Sequence, residues 1–354
     1  MGWIAWLATA LVLSLAPASA AAATPADVID VPVDFVVENT NTSQVPCQSD
    51  GATYIVRGHM AGPRAAIESA GPRAVTLYYE GFESGEWNWR FRLVPGYDHA
   101  ADLAKRGHVS VTVDQIGYGA SGHPLGLLTC FGAQADVAHQ IIGQLRHGKY
   151  TAAGVPPVAF QKVVFAGHDI GGGIAEIEAY SYHDIDGLML FTWQDQGQTP
   201  YLLQTVADAN SRCAAGGEPA YDGGPGGYVF FPHREDWPLL MPNSEPAVLT
   251  GAVASRLRNP CGLVSGAPPA VFFNGAPSET GRGLSTIDVP VLLVLGALDP
   301  VFTRDGFEQQ RRHFSGSPDV TSVLMDGTGH FEMLDRNAPR FRQLVARWLT
   351  SRRL

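Results

Sequence analysis

The sequence predicts an α/β fold: a mostly parallel, doubly wound sheet with helices on both faces and an inserted segment over its carboxyl rim. Three observations predict it. Short apolar, β-branched runs alternate with amphipathic helical runs along most of the chain. One such run, Val163-Val164-Phe165, passes through Gly167-His168-Asp169-Ile170-Gly171 directly into a helical pattern. The alternation breaks once, from Asp195 to about Leu284, and then resumes. The chain is therefore divided into residues 24–194 and 288–354 as two parts of one core, with 195–287 as an inserted lid.

Residues 1–23 differ from the rest. Gly2 to Leu15 is apolar, Pro17 interrupts it, and Ala18-Ser19-Ala20 offers an A-x-A cleavage site, which predicts a signal peptide and secretion. The apolar run is short for a membrane span, so none is expected after cleavage; a retained anchor is the alternative. The mature chain opens with strand-like pieces at Val31–Val37 and Thr53–Arg57, then turns at Gly62-Pro63 and Gly71-Pro72, and a strand at Ala74–Tyr79 that ends in Glu80-Gly81-Phe82. A helix over Tyr97–Arg106, a buried strand at Val109–Asp114, a helix over Ala133–Arg146 and a strand at Gln161–Phe165 lead to the elbow. The Gly-rich loop between the second and third of these, Gly117-Tyr118-Gly119-Ala120-Ser121-Gly122, lacks the Lys-Ser/Thr ending of a phosphate loop and reads as a turn.

Asp169 occupies the tip of a strand–turn–helix elbow. Gly167 and Gly171 permit a turn too tight for side chains, and the helix start behind it offers unpaired N–H groups that favour an anion. An aspartate is already ionised at neutral pH, so as a nucleophile it needs no base to remove its proton. It needs a base for the second step, hydrolysis of its ester. An ordinary helix cap is the structural alternative.

After the elbow helix, Gly187–Phe191 is another buried strand. The inserted segment is rich in Gly, Pro and aromatics, with helical stretches at Pro200–Ala209 and Glu245–Arg258. The alternation returns with Val289–Leu295, which ends in Gly296-Ala297-Leu298-Asp299. A helix over Arg304–His313, a strand at Thr321–Met325 ending in Gly327-Thr328-Gly329-His330, and a helix over Ala338–Leu349 complete the chain. Asp299 and His330 follow parallel strands and should emerge on the rim that carries Asp169. The order is nucleophile, acid, histidine.

Cys47, Cys130, Cys213 and Cys261 form no Cys-x-x-Cys pair, so two disulfides are expected in an exported chain. Of the three connectivities, Cys47–Cys130 with Cys213–Cys261 is favoured because the second pair would close the insertion; free buried thiols are the alternative. With a net charge of -10 and no basic run, the composition argues against nucleic acid as a partner.

Gly-His-Asp-Ile-Gly-Gly, Gly-Ala-Leu-Asp and Gly-Thr-Gly-His together resemble the motifs of the α/β-hydrolase superfamily. Within it the Asp elbow looks like the epoxide hydrolase and haloalkane dehalogenase branch. Tyr78–Phe82, Asp114–Gly122 and Glu178–Ser181 look similar to secreted actinobacterial hydrolases. The resemblance implies two oxyanion-hole donors, the N–H groups of Phe82 and Ile170. It also implies epoxide opening by Asp169, with an ester hydrolysed by water that His330, oriented by Asp299, activates. Lid tyrosines serve as proton donors in family epoxide hydrolases, and Tyr201, Tyr221 and Tyr228 are the candidates. Glu80 stands where family members usually have His, and could act as a general acid or tie down a loop. Ile170 replaces the halide-holding Trp of dehalogenases.

An apolar or aromatic small-molecule substrate is expected, with Trp193 among the aromatics that could contact it. The chemistry requires no cofactor and no metal; a metal site from Asp169, Glu80 and His330 lacks local ligand spacing. Two other readings remain open: a natural-product cyclase or lyase using Asp169 as a general base, and a non-catalytic binding protein. Retention of Asp299 and His330 speaks against the latter.

Overall fold

The computed structural model describes residues 1–2, 27–69, 73–265 and 283–354. The expected signal peptide and the Gly71-Pro72 turn fall on residues outside these, as does part of the insertion. Among the described residues, no helix is long and apolar enough to cross a membrane.

A nine-stranded sheet organises the chain, in the order β11 (Val320–Met325), β10 (Val291–Gly296), β7 (Gly187–Phe191), β6 (Lys162–His168), β3 (Ala74–Tyr79), β4 (Ser110–Val113), β2 (Thr53–Pro63), β1 (Val28–Glu38) and β5 (Thr151–Ala152). Its parallel part comprises β3 (Ala74–Tyr79), β4 (Ser110–Val113), β6 (Lys162–His168), β7 (Gly187–Phe191), β10 (Val291–Gly296) and β11 (Val320–Met325). Every residue of β7 and of β10 is buried, as a strand covered by helices on both faces requires.

The amino-terminal strands differ. β1 (Val28–Glu38) and β2 (Thr53–Pro63) pair antiparallel, and β5 (Thr151–Ala152) lines the outer edge. In β1, Val31, Val33, Phe35 and Val37 are buried in alternation, so a single face is packed. β2 runs on through Gly62 and Pro63, where a turn was expected. Its Gly58 lies so close to β4 that a Cβ would sit 2.0 Å from the Thr112 carbonyl oxygen.

The helix after the elbow, Ile170–Tyr182, is buried from Ile170 to Tyr180. The helix Phe131–His147 packs beside it and ends at Gly148 in the left-handed conformation. Between β7 and β10 the insertion contributes the helices Pro200–Ala214, Trp237–Leu240, Pro246–Ala254 and Cys261–Ser265, and a two-stranded sheet of β8 (Tyr228–Val229) with β9 (Asn259–Pro260). The disulfides are Cys47–Cys130 and Cys213–Cys261, the favoured pairing. The second ties the first helix of the insertion to its last described one.

Candidate active site

The elbow has the geometry its glycines allow. Asp169 adopts φ 52°, ψ -126°, between β6 and its helix. A Cβ on Gly167 would lie 2.0 Å from the Gly171 carbonyl oxygen, and one on Gly171 would lie 2.6 Å from that of Glu80. The tight turn therefore demands glycine on both sides of a residue held at positive φ.

The two oxygens of the Asp169 carboxylate have different neighbours. Oδ2 accepts the Phe82 N–H at 3.0 Å, from the loop that follows β3. Oδ1 faces His330 Nε2 at 3.9 Å, too far for a direct hydrogen bond. Gly81 makes the Phe82 approach possible, because a Cβ there would lie 2.6 Å from the Asp169 Cβ. Burial raises the Asp169 carboxyl above its ordinary range, opposed by His330 and by the N–H groups of Phe82 and Ile170.

His330 follows β11 on the same rim. Its Nδ1 lies 3.0 Å from Asp299 Oδ1, and Asp299 is steadied in turn by the Val301 N–H at 2.9 Å. Burial works against an imidazolium here. The charge and hydrogen bond of Asp299, followed by Asp169 and Glu332, outweigh it and raise the pKa to about 9. The free site thus holds a protonated imidazole between two carboxylates.

These groups border a narrow cleft, lined by Phe82, Asp169 and His330 on the core side and by Tyr201, Phe231 and Leu240 among others from the insertion. Asp169, Asp299, His330 and Phe82 thus come together, as the motifs implied. Glu80, Tyr221, Tyr228 and Trp193 lie elsewhere. Glu80 is fully buried and its Oε1 accepts the Gln115 N–H at 2.9 Å, while its backbone oxygen accepts Gln115 Nε2 at 2.8 Å. It does not line the cleft, and its contacts are those of a loop tie. Burial, then Asp114, raises its carboxyl well above the usual range.

Of the three tyrosines, Tyr201 lines the cleft. Tyr228 is buried with its hydroxyl donating to the Pro124 carbonyl at 2.8 Å, and Tyr221 is exposed against His123. Trp193 packs over Gly172 and Gly173 and donates to Glu176. It supports the elbow helix from beneath, away from the cleft.

The Alpha/beta hydrolase family matches the chain over residues 81–343. The chain belongs to that family. No curated protein matches the sequence. Solved α/β hydrolase-fold structures are similar over most of its length. A thermophilic esterase from Thermogutta terrifontis has 17% identity and a TM-score of 0.58, covering 90% of this chain and 99% of its own. A monoacylglycerol lipase from Paleococcus ferrophilus has 19% identity and a TM-score of 0.59, covering 81% and 98%. An enol-lactonase from Burkholderia xenovorans LB400 has 13% identity and a TM-score of 0.58, covering 84% and 97%.

Three supporting residues of this α/β hydrolase site escaped the sequence reading. His168 lies with Nε2 2.8 Å from the His330 carbonyl oxygen, so its neutral ring donates there and joins the elbow to the histidine loop. Glu332 is buried behind His330, receives the Thr192 hydroxyl, and is raised by burial to about 8. Glu83, at φ 56°, is gripped by Arg256 at 2.5 and 2.7 Å and by Trp237 Nε1 at 3.0 Å. Only the adjacency of His168 and Glu83 to recognised motifs could have flagged them, because their partners lie 154 to 173 residues away.

Proposed function

We propose that this hydrolase opens an epoxide, or a related electrophilic sp³ carbon, through a covalent ester on Asp169. The observation that carries the reading is the division of the Asp169 carboxylate. One oxygen rests against the Phe82 N–H while the other faces His330 and the cleft. Attack by Oδ1 on an epoxide carbon breaks the ring C–O bond and leaves Oδ2 as the ester carbonyl oxygen, already at an N–H donor. Attack on a carboxylic ester would instead give an anhydride, a less stable product. This favours an sp³ electrophile even though several solved relatives are esterases and lipases.

The opening oxygen takes a proton from Tyr201, the tyrosine on the cleft wall, which burial and the Asp236 carboxylate keep in its protonated form. Esterification removes the negative charge of Asp169 from beside His330. The imidazolium then gives up its proton, through water, to the Tyr201 phenolate, which restores the phenol and leaves neutral His330 as the base of the second step. It takes a proton from water, the hydroxide adds to the Asp169 carbonyl carbon, and the charge on Oδ2 is held by the N–H groups of Phe82 and Ile170. Collapse breaks the ester bond, the proton of the added hydroxyl passes to the departing alkoxide, and the diol leaves with Asp169 returned as the carboxylate. The insertion acts as a lid that supplies the apolar wall, and the two disulfides suit an exported protein.

The test is intact mass after incubating His330→Gln with a panel of aromatic and aliphatic epoxides. An adduct mapped to Asp169 is expected. Turnover by the wild type with no trapped ester in the variant would overturn the covalent step and leave Asp169 as a general base.

A further inference from the structure

On the far end of the elbow helix, three ligand-type side chains from separate elements converge. His139 comes from the helix Phe131–His147, Glu178 from the helix Ile170–Tyr182, and Asp184 from the turn into β7. One ligand atom of each lies within 4.8 Å of the others. Asp184 Oδ2 is 2.7 Å from His139 Nδ1, and Tyr182 stacks on the imidazole at 4.0 Å and 11°, which fixes the ring plane.

Glu178 is the unexplained member. Its side chain is fully buried and faces Asp184; burial and a hydrogen bond shared with Asp184 push its carboxyl well above the usual range, and no N–H or hydroxyl donor meets either of its oxygens or the buried Asp184 Oδ1. Two carboxylates turned toward each other in a buried site need a proton or a cation between them. Arg146 lies close by but is engaged by Asp186 Oδ2 at 2.6 Å and by the Asp184 backbone oxygen. Asp136, also facing His139, accepts from Thr40 and from the Thr42 N–H. Neither meets the Glu178 oxygens.

We propose that His139, Glu178 and Asp184 form a binding site for a divalent cation of the zinc class. One imidazole nitrogen with two carboxylate oxygens is a three-ligand set that zinc accepts with water in its fourth position, whereas calcium asks for six or more oxygens. Asp184 and His139 are partly exposed, so water and the ion reach the site from solvent. The two negative charges balance the cation. Counting about 1.5 Å per residue, Glu178 lies roughly 12 Å along the helix from the elbow, so the ion would brace the elbow helix against its neighbour without entering the cleft.

The experiment is calorimetric titration of tag-free, chelator-stripped full chain with Zn²⁺, with Ca²⁺ and Mg²⁺ as controls, alongside thermal melting. One Zn²⁺ per chain is expected, with a rise in melting temperature that the controls do not produce. Glu178→Gln and His139→Ala should each weaken binding by at least about 10-fold and abolish the melting shift. If Glu178→Gln does not fold, His139→Ala, at a side chain that is 38% exposed, decides alone. Absence of saturable Zn²⁺ binding, or equally tight binding by the folded variants, would overturn the site and leave a proton shared between Glu178 and Asp184.

Discussion

Charge on His330 sets the order of events at the residue scale. With Asp299 and Asp169 beside it, the imidazole titrates at about 9, so it is protonated in the free enzyme at neutral pH. In the proposed ester Asp169 is neutral, and the His330 pKa must fall. Ester breakdown, followed by single-turnover quench, should therefore rise with pH and level off below 9. A plateau reached only above 9 would mean that Asp169 stays charged throughout. The free enzyme shows the same group through stability. The native pKa lies above the ordinary 6.5, so the imidazolium stabilises the fold fully below pH 6.5, and that contribution fades toward pH 9. His330→Gln should flatten the stability curve across that window, measured by urea unfolding. Tyr201→Phe should cut kcat about 10²-fold if it donates the proton; an unchanged kcat would remove it from the mechanism. Asp169, Asp299 and His330 were legible because each ends a strand in a short glycine-bearing motif whose order carries information. The sequence left Glu80 open between a general acid and a loop tie, because its partner, the Gln115 N–H, belongs to another loop and leaves no mark in local sequence.

The loop after β3 is the element on which the proposed oxyanion hole depends. Its Phe82 N–H is aimed at Asp169 by two constraints, the missing Cβ of Gly81 and the anchoring of Glu83. Glu83 is fully buried, receives Arg256 and Trp237 from the insertion, and donates its N–H to Asn259 Oδ1 at 2.6 Å. The insertion thus braces the hole as well as covering the cleft. Arg256→Ala leaves a buried carboxylate without its cation, which typically costs about 3–5 kcal/mol. Loss of that order is expected in chemical denaturation, together with a drop in kcat as Phe82 shifts. Loss of stability with full kcat would separate the latch from the hole. The strands and helices that carry these loops were legible from periodicity to within a few residues. The continuation of β2 through Gly62-Pro63 was not, because strand pairing with β1 overrides the turn tendency of Gly-Pro.

For the whole molecule, the sheet brings together residues far apart in sequence, and the insertion closes over them. Parallel strands β3, β6, β10 and β11 end on one rim, so Phe82, Asp169, Asp299 and His330 meet although 248 positions separate the first from the last (330 - 82). The wall opposite them, with Tyr201 and Phe231, belongs to a segment in which, beyond the 15-residue helix Pro200–Ala214, the described helices are short and the second sheet pairs two residues with two. Such a segment buries little backbone in regular structure and depends on its cross-link. Cys213–Cys261 spans 48 positions, and the chain-entropy account puts its stabilisation at about 4 kcal/mol, model-dependent. Replacing both cysteines by serine should lower stability by up to that amount. The core sheet does not include either cysteine, so the consequence should concentrate in the insertion: faster amide exchange over Pro200–Ala214, with β6 and β10 still protected. Substrate affinity should fall more than the rate of ester breakdown, because Asp169, Phe82, Asp299 and His330 all belong to the core. Equal exchange throughout would show that insertion and core unfold as one unit.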